Sequence, residues 1–273
     1  MAKQTALYSV HQAAGAKIVD FGGWDMPLHY GSQIEEHHQV RQSAGMFDVS
    51  HMTTVDITGP DAKNYLRYLL ANDVDKLAPE GKALYSAMLN QEGGVVDDLI
   101  AYFRTSNDYR LVVNASTFEK DLAWMNQHTS GFDVSLNHRT GFTTLAVQGP
   151  SSRESAMAAM AQDCATAAQE LKPFSSVSIG DWFIARTGYT GEDGFEITLP
   201  NAQAGAFWNA LLEQNVAPCG LGCRDTLRLE AGMNLYGSDM DENISPLEAN
   251  MGWTVDLKDT ERNFIGKPAI VAL

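Results

Sequence analysis

The sequence predicts an α+β fold of two interleaved, duplicated subdomains with antiparallel sheets and flanking helices, and three observations carry this. Val55-Asp56-Ile57-Thr58-Gly59-Pro60-Asp61 is echoed by Leu145-Ala146-Val147-Gln148-Gly149-Pro150-Ser151, each an alternating strand that runs into Gly-Pro. The same order of helix, strands and helix follows each copy, which argues against a doubly wound parallel sheet. No low-complexity linker divides the 273 residues, and 44% hydrophobic content is enough for a substantial core.

The elements follow in order. Ser32-Gln33-Ile34-Glu35 has the form of a capping box, in which a serine and a glutamate satisfy each other's backbone amides, and it opens a helix. Gly45 is expected as the left-handed stop of that helix. In the first copy Pro60 suits the first turn of a helix over 61–70. Strands over 83–90 and 95–103 form a hairpin across Gln91-Glu92-Gly93-Gly94, and a third strand over 109–114 leads to a helix over 117–128. In the second copy Pro150 likewise suits the first turn of a helix over 152–161. Strands are expected over 177–179, 182–186 and 195–198, then a helix over 202–214. Subdomain one is expected over about 53–140, subdomain two over about 1–52 plus 141–255, and 256–273 reads as the entry to a further region.

Composition excludes several function classes. The net charge is −15, from 34 acidic and 19 basic residues with no basic run, so a nucleic-acid partner is not expected. No apolar stretch is long enough to cross a bilayer, and the first residues lack the pattern of an export signal. Three cysteines, Cys164, Cys219 and Cys223, form no disulfide framework and suit a reducing cytoplasm, so a cytoplasmic location without a membrane partner is expected.

Gly93-Gly94-Val95-Val96-Asp97-Asp98 is the first candidate site. Val95, Val96, Leu99 and Ile100 make both strand faces apolar, and alternation puts Asp98 with Val96, Ile100 and Tyr102 while Asp97 points the other way. A buried carboxylate has a raised pKa unless donors stabilise its charge, which suits proton handling. The alternative is that one aspartate caps the Gly-Gly turn and the other pairs with an arginine.

Thr187-Gly188-Tyr189-Thr190-Gly191-Glu192-Asp193-Gly194-Phe195-Glu196 is the second, a tight turn feeding a strand in which Glu196 points away from Phe195 and Ile197. Glu196 either faces solvent or accepts two parallel hydrogen bonds from a guanidine-like heterocycle edge. In the third, Arg224 and Arg228 share a helix face, either neutralising nearby acids or binding an anion. Cys219 and Cys223 have neither a second pair nor a suitable histidine nearby, so no metal is expected. The glycines there lack the rest of a nucleotide-binding fingerprint, so neither flavin nor nicotinamide is expected. Asp48, Ser50 and His51 contain triad residue types, but in a strand His51 points away from Ser50. His37 and His38 project about 100° apart on their helix and form no ligand set.

Taken together, these stretches resemble the T-protein of the glycine cleavage system, the aminomethyltransferase. The resemblance rests on Phe21-Gly22-Gly23-Trp24, Gly45-Met46-Phe47-Asp48-Val49-Ser50-His51-Met52 and Gly93-Gly94-Val95-Val96-Asp97-Asp98-Leu99. It continues in Gly188-Tyr189-Thr190-Gly191-Glu192-Asp193-Gly194 with Glu196, in Arg224-Asp225-Thr226-Leu227-Arg228-Leu229-Glu230-Ala231-Gly232 and in Ser245-Pro246-Leu247. It spans about Thr5 to Ile265 and is closest to bacterial members. It implies the folate-binding T-protein fold without the family's small C-terminal β-domain.

The resemblance also implies a reaction. The one-carbon unit of an aminomethyl-lipoyl arm, carried by H-protein, passes to tetrahydrofolate as co-substrate, releasing ammonia and 5,10-methylenetetrahydrofolate. It makes Asp98 the critical acid, Glu196 the pterin-binding carboxylate and Arg224 a ligand contact. Met52, Tyr85, Val112, Asn114, Tyr189 and Trp253 would line the folate cavity, expected between the duplicated halves. Within the same superfamily, a folate-dependent demethylase or a non-catalytic folate-binding scaffold are the competing readings.

Overall fold

The computed structural model describes residues 2–273, and the chain divides into two compact units. One unit joins the chain up to His51 with Gly141–Met233; the other joins Met52–Thr140 with Asn234–Leu273.

The first unit is built on a six-stranded sheet in the order Ser176–Ile179, Trp182–Ala185, Gly194–Pro200, Phe142–Gln148, Gly45–Asp48, Ala217–Pro218. All pairings are antiparallel except the last. Leu145 pairs with Ile197 and Val147 with Phe195, so these apolar residues share one face. That face packs against Ala156, Ala168, Ala204, Phe207, Trp208 and Leu211 of the helices Ser152–Ala159, Gln162–Gln169 and Asn201–Glu213. Each fully buried large apolar side chain contributes about 1.5–3 kcal/mol. Ala146 pairs with Glu196, and the same alternation turns both to the opposite face. A small sheet of Lys3–Gln4, Trp24–His29 and Lys17–Phe21 completes the strands of this unit.

The second unit is built on a five-stranded antiparallel sheet in the order Ala83–Leu89, Val95–Thr105, Asp108–Val113, Thr53–Thr58, Ser135–Arg139. Val55, Ile57, Leu99, Ala101, Leu111 and Val113 bury against Tyr65, Leu66, Leu69 and Met125 of the helices Ala62–Leu69 and Phe118–Gln127. Residues 234–255, grouped from sequence with 141–233, fall in this unit instead. Met240 and Met251, with Phe264 and Ile270, pack on Ala87, Leu89 and Val95, which accounts for the difference. Residues 256–273, expected to lead into a further region, here supply Phe264, Ile265 and Ile270 to the cores of the same unit.

The repeat has a backbone reason. Gly59 and Gly149 hold φ of +137° and +127°, and an added Cβ would lie 2.2 Å from Asp133 O or 2.3 Å from Ser43 O. Each proline sits just outside its helix, not in the first turn, because Asp61 and Ser151 are the N-caps. Gly45 differs from expectation too. It begins a buried strand, and glycine is needed because a Cβ would meet Val40 Cγ2 at 2.5 Å and Cys219 Sγ at 2.6 Å. The capping serine is as expected, Ser32 Oγ accepting from Glu35 N, while Glu36 reaches back to accept from Tyr30 N at 2.6 Å.

Candidate functional site

The register of the five-stranded sheet gathers one set of residues. Ala87 pairs with Asp98, Tyr85 with Ile100, and Ile100 with Val112. Residues two apart share a face, so Tyr85, Asp98 and Val112 lie together on the face away from the helices. Asn114 follows the strand Asp108–Val113 and Met52 precedes Thr53–Thr58; these residues are half-buried. Trp253, 67% exposed, stacks on the Tyr85 ring with centroids 5.5 Å apart and planes 27° apart.

Asp98 is held from two sides. Tyr85 Oη donates to its Oδ2 at 2.7 Å, and Asn114 Nδ2 donates to its Oδ1 at 2.8 Å. Burial and the adjacent Asp97 push Asp98 up to about 6, against the pull of those two donors. Asp97 is fully buried and accepts from Asn114 N at 3.2 Å, Asn114 Nδ2 at 2.9 Å and Thr117 Oγ1 at 3.1 Å. Neither aspartate caps the Gly-Gly turn: Asn90 does so, its Oδ1 accepting from Gly94 N at 2.9 Å. Neither pairs with an arginine among the described residues.

The six-stranded sheet gathers the other set. Glu196 stands beside Ala146 and Ala185, and Ala146 is flanked on its other side by Phe47. Two buried alanines and a buried ring therefore flank this carboxylate on the sheet. Thr187 Oγ1 donates to Glu196 Oε2 at 2.6 Å. The Arg224 guanidinium lies over the rings of Tyr189 at 4.9 Å and Phe47 at 5.9 Å, a cation–π arrangement. Burial lowers the Arg224 pKa, and Glu196 opposes this electrostatically. Its Nη1 is buried without a hydrogen-bond partner among the described residues. A buried donor left unpaired in this way suits a ligand oxygen.

The triad types resolve differently from a triad. Asp48 is fully buried and accepts from Thr5 Oγ1 at 2.6 Å and from Ser50 N at 2.9 Å, and it bonds His11 Nε2 at 2.8 Å, which ties the N-terminal segment to the sheet. His51 makes no bond to Ser50; its ring meets Phe21 edge-on, and burial lowers its pKa to about 4. His37 bonds Thr226 and Glu230 on the neighbouring helix. Cys219 and Cys223 do meet a third group, Glu36, with ligand atoms within 4.8 Å of one another. The Glu36 oxygens each accept a backbone N–H, from Tyr30 and Gly220, and both thiols are buried, the Cys219 pKa raised by the Cys223 thiol and by burial.

Two further residues belong to these sites. Thr187 reads from sequence as a turn residue, and it lies nine positions before the carboxylate it serves. Asp121 does have a local signal in the sequence: it lies three residues from Phe118 and four from Met125, a core-facing spacing that marks a buried acid.

The GCVT N-terminal domain model matches residues 7–259. The aminomethyltransferase of Alcanivorax borkumensis is 61% identical over 271 residues, covering 99% of this chain and 74% of that protein. The crystal structure of glycine cleavage system aminomethyltransferase T from Bartonella henselae superposes with a TM-score of 0.93 at 37% identity, over 100% of this chain and 74% of that one. Among the described residues no helix is long and apolar enough to cross a membrane.

Proposed function

This chain belongs to the aminomethyltransferase family of the GCVT N-terminal domain, and from that membership we propose a specific reaction: transfer of the one-carbon unit of aminomethyl-lipoyl H-protein to tetrahydrofolate. Ammonia, 5,10-methylenetetrahydrofolate and the dihydrolipoyl arm are the products. Tetrahydrofolate, when bound, supplies the nucleophilic nitrogens.

The observation that carries the reading is Asp98, held by Tyr85 and Asn114 and raised to about 6. A carboxylate of that strength is ionised near neutral pH yet basic enough to take a proton as the new ring closes. Asp98 also holds the folate amine by a hydrogen bond and keeps it nucleophilic. Glu196, with one oxygen receiving the Thr187 proton, accepts from the pterin edge and orients it. Arg224 offers its unpaired Nη1 to a ligand oxygen, with Tyr189 under the guanidinium plane. Met52, Val112 and the Tyr85–Trp253 stack supply apolar surface that keeps water from the reacting carbon. A cytoplasmic setting is supported by the three cysteines, all free and buried.

The test measures ammonia release from aminomethylated H-protein with and without tetrahydrofolate. Release should depend on folate in the wild type and fall by at least about 100-fold in Asp98→Asn, with folate affinity within a few-fold. Near-normal turnover in that variant sinks the role of Asp98. Folate binding without folate-dependent release in the wild type would favour a binding scaffold.

A further inference from the structure

Behind Asp98 lies a second pair of carboxyls. Asp121, on the helix Phe118–Gln127, is fully buried one turn beyond Thr117, whose hydroxyl lies 3.1 Å from the fully buried Asp97, so the same helix face turns the Asp121 carboxyl toward that of Asp97. The hydrogen bonds around the two are unequal. Asp97 draws three donor contacts, from the Asn114 backbone and side chain and from Thr117. Neither oxygen of Asp121 has a donor among the described residues that meets hydrogen-bond geometry, and the one Thr117 hydroxyl proton has Asp97 Oδ2 at 3.1 Å and Asn114 O at 3.2 Å as its acceptors. The nearby cation, Lys120, is committed elsewhere: it donates to Val96 O at 2.7 Å, Tyr236 Oη at 2.6 Å and Glu242 Oε1 at 2.9 Å. The titratable groups facing the pair are therefore Asp98 from the strand, Lys120 from the helix, and Tyr236 and Glu242 from the segment that holds Lys120.

Two ionised carboxylates cannot hydrogen-bond to each other, and two in contact in a dry site share a proton. We propose that Asp121 is the un-ionised member of the pair, donating to Asp97, and that it is a positioning residue for Asp98. The chain of contacts is continuous: Asp121 to Asp97, Asp97 to the Asn114 amide, and the same amide to Asp98. With a proton supplied by Asp121, Asp97 keeps its charge, Asn114 stays turned so that it donates to both aspartates, and Asp98 feels a fixed negative neighbour. Burial and the Asp97 charge push Asp121 up to about 9, in the same direction. The positioning role rests on the reading of Asp98 given above; the protonation of Asp121 does not.

Carboxyl-carbon NMR of protein labelled at aspartate Cγ reads the proton directly. At pH 7.5 the wild type should show an un-ionised aspartic acid signal that Asp121→Asn lacks; no difference between the two overturns the proposal, whatever Asp98 does. The pH–rate profile reads the consequence. Asparagine still donates to Asp97, so Asp121→Asn should keep the acidic limb within about 0.3 unit. Asp121→Leu removes the donor, Asp97 retains a proton of its own, and the limb should move to lower pH by about one unit. A limb displaced as far by Asn as by Leu would mean that Asp121 acts through charge, and it overturns the positioning role. Should Asp98→Asn prove active, the proposed base fails while the NMR difference still decides the state of Asp121.

Discussion

The Tyr85 hydroxyl donates to Asp98 Oδ2 at 2.7 Å while the Tyr85 ring stacks on Trp253, so one side chain both holds the acid and shapes the surface beside it. The two roles separate in Tyr85→Phe, which keeps the stack and removes the donor. A hydrogen bond to the charged form favours that form, so its loss raises the Asp98 pKa above its present value of about 6. The acidic limb of the pH–rate profile should move up by roughly half a unit to one unit. Turnover at pH 6 should therefore fall more than turnover at pH 8. Steady-state rates across that range check this, and a uniform loss at all pH values would contradict it.

Glu196 makes a second prediction, about binding. Gln in its place keeps the shape but offers one acceptor oxygen and an amide that cannot accept, so one of two parallel hydrogen bonds from a pterin edge is lost and the other loses its charge. A hydrogen bond to a charged group is worth about 1.5–3 kcal/mol, so folate affinity should weaken by roughly 10- to 100-fold. Thr187→Val removes the donor to Glu196 Oε2 and should weaken it less. Titration calorimetry with tetrahydrofolate under anaerobic conditions gives both numbers.

Much of the architecture was legible in the sequence, for a physical reason. The repeat around Gly59 and Gly149 records a backbone conformation that favours glycine, and alternation along 194–200 separates Phe195 and Ile197 from Glu196. Register was not legible. Nothing local in the sequence says that Tyr85 lies diagonally across from Asp98, because that depends on the pairing of Ala87 with Asp98 and a bulge after Met88. Asp121 stayed hidden because its partner, Asp97, lies on another element. Residues 234–255 were misgrouped because sequence order says little about which core Met240 and Met251 join.

Gly94 supports a prediction independent of function. A Cβ there would lie 1.8 Å from Glu242 O, a backbone atom, and 3.0 Å from the Asn90 Nδ2 that ties the same carbonyl down. Gly94→Ala must push the loop off the hairpin, and it should destabilise the protein by about 2–4 kcal/mol, a Tm drop of roughly 5–10 °C. Gly205 is the contrast, a glycine inside the helix Asn201–Glu213 with open space around its Cβ position. Gly205→Ala should stabilise by about 0.5–1 kcal/mol. Thermal unfolding of the two variants beside the wild type tests both signs.

Asp98 itself should carry a stability cost. Its pKa in the fold is about 6, above the ordinary aspartate value of 3.8, so the folded state binds this proton more tightly than the unfolded chain. The stability linked to that proton is fully present below pH 4 and is lost as pH rises through 6. Each pKa unit corresponds to about 1.4 kcal/mol, and partial exposure of the side chain reduces the total to roughly 1–2 kcal/mol at pH 7.5. Asp98→Asn has no proton to lose. Measured against the wild type, its stability should therefore improve by that amount between pH 4 and pH 7.5, while its turnover collapses. The slope matters more than either end point, because the amide also changes the contacts with Tyr85 and Asn114, and that contribution does not vary with pH over this range. Denaturant unfolding of both proteins at pH 4.5, 6 and 7.5 gives the slope. A difference that stays constant across the three would mean that Asp98 titrates in the fold as it does in the unfolded chain.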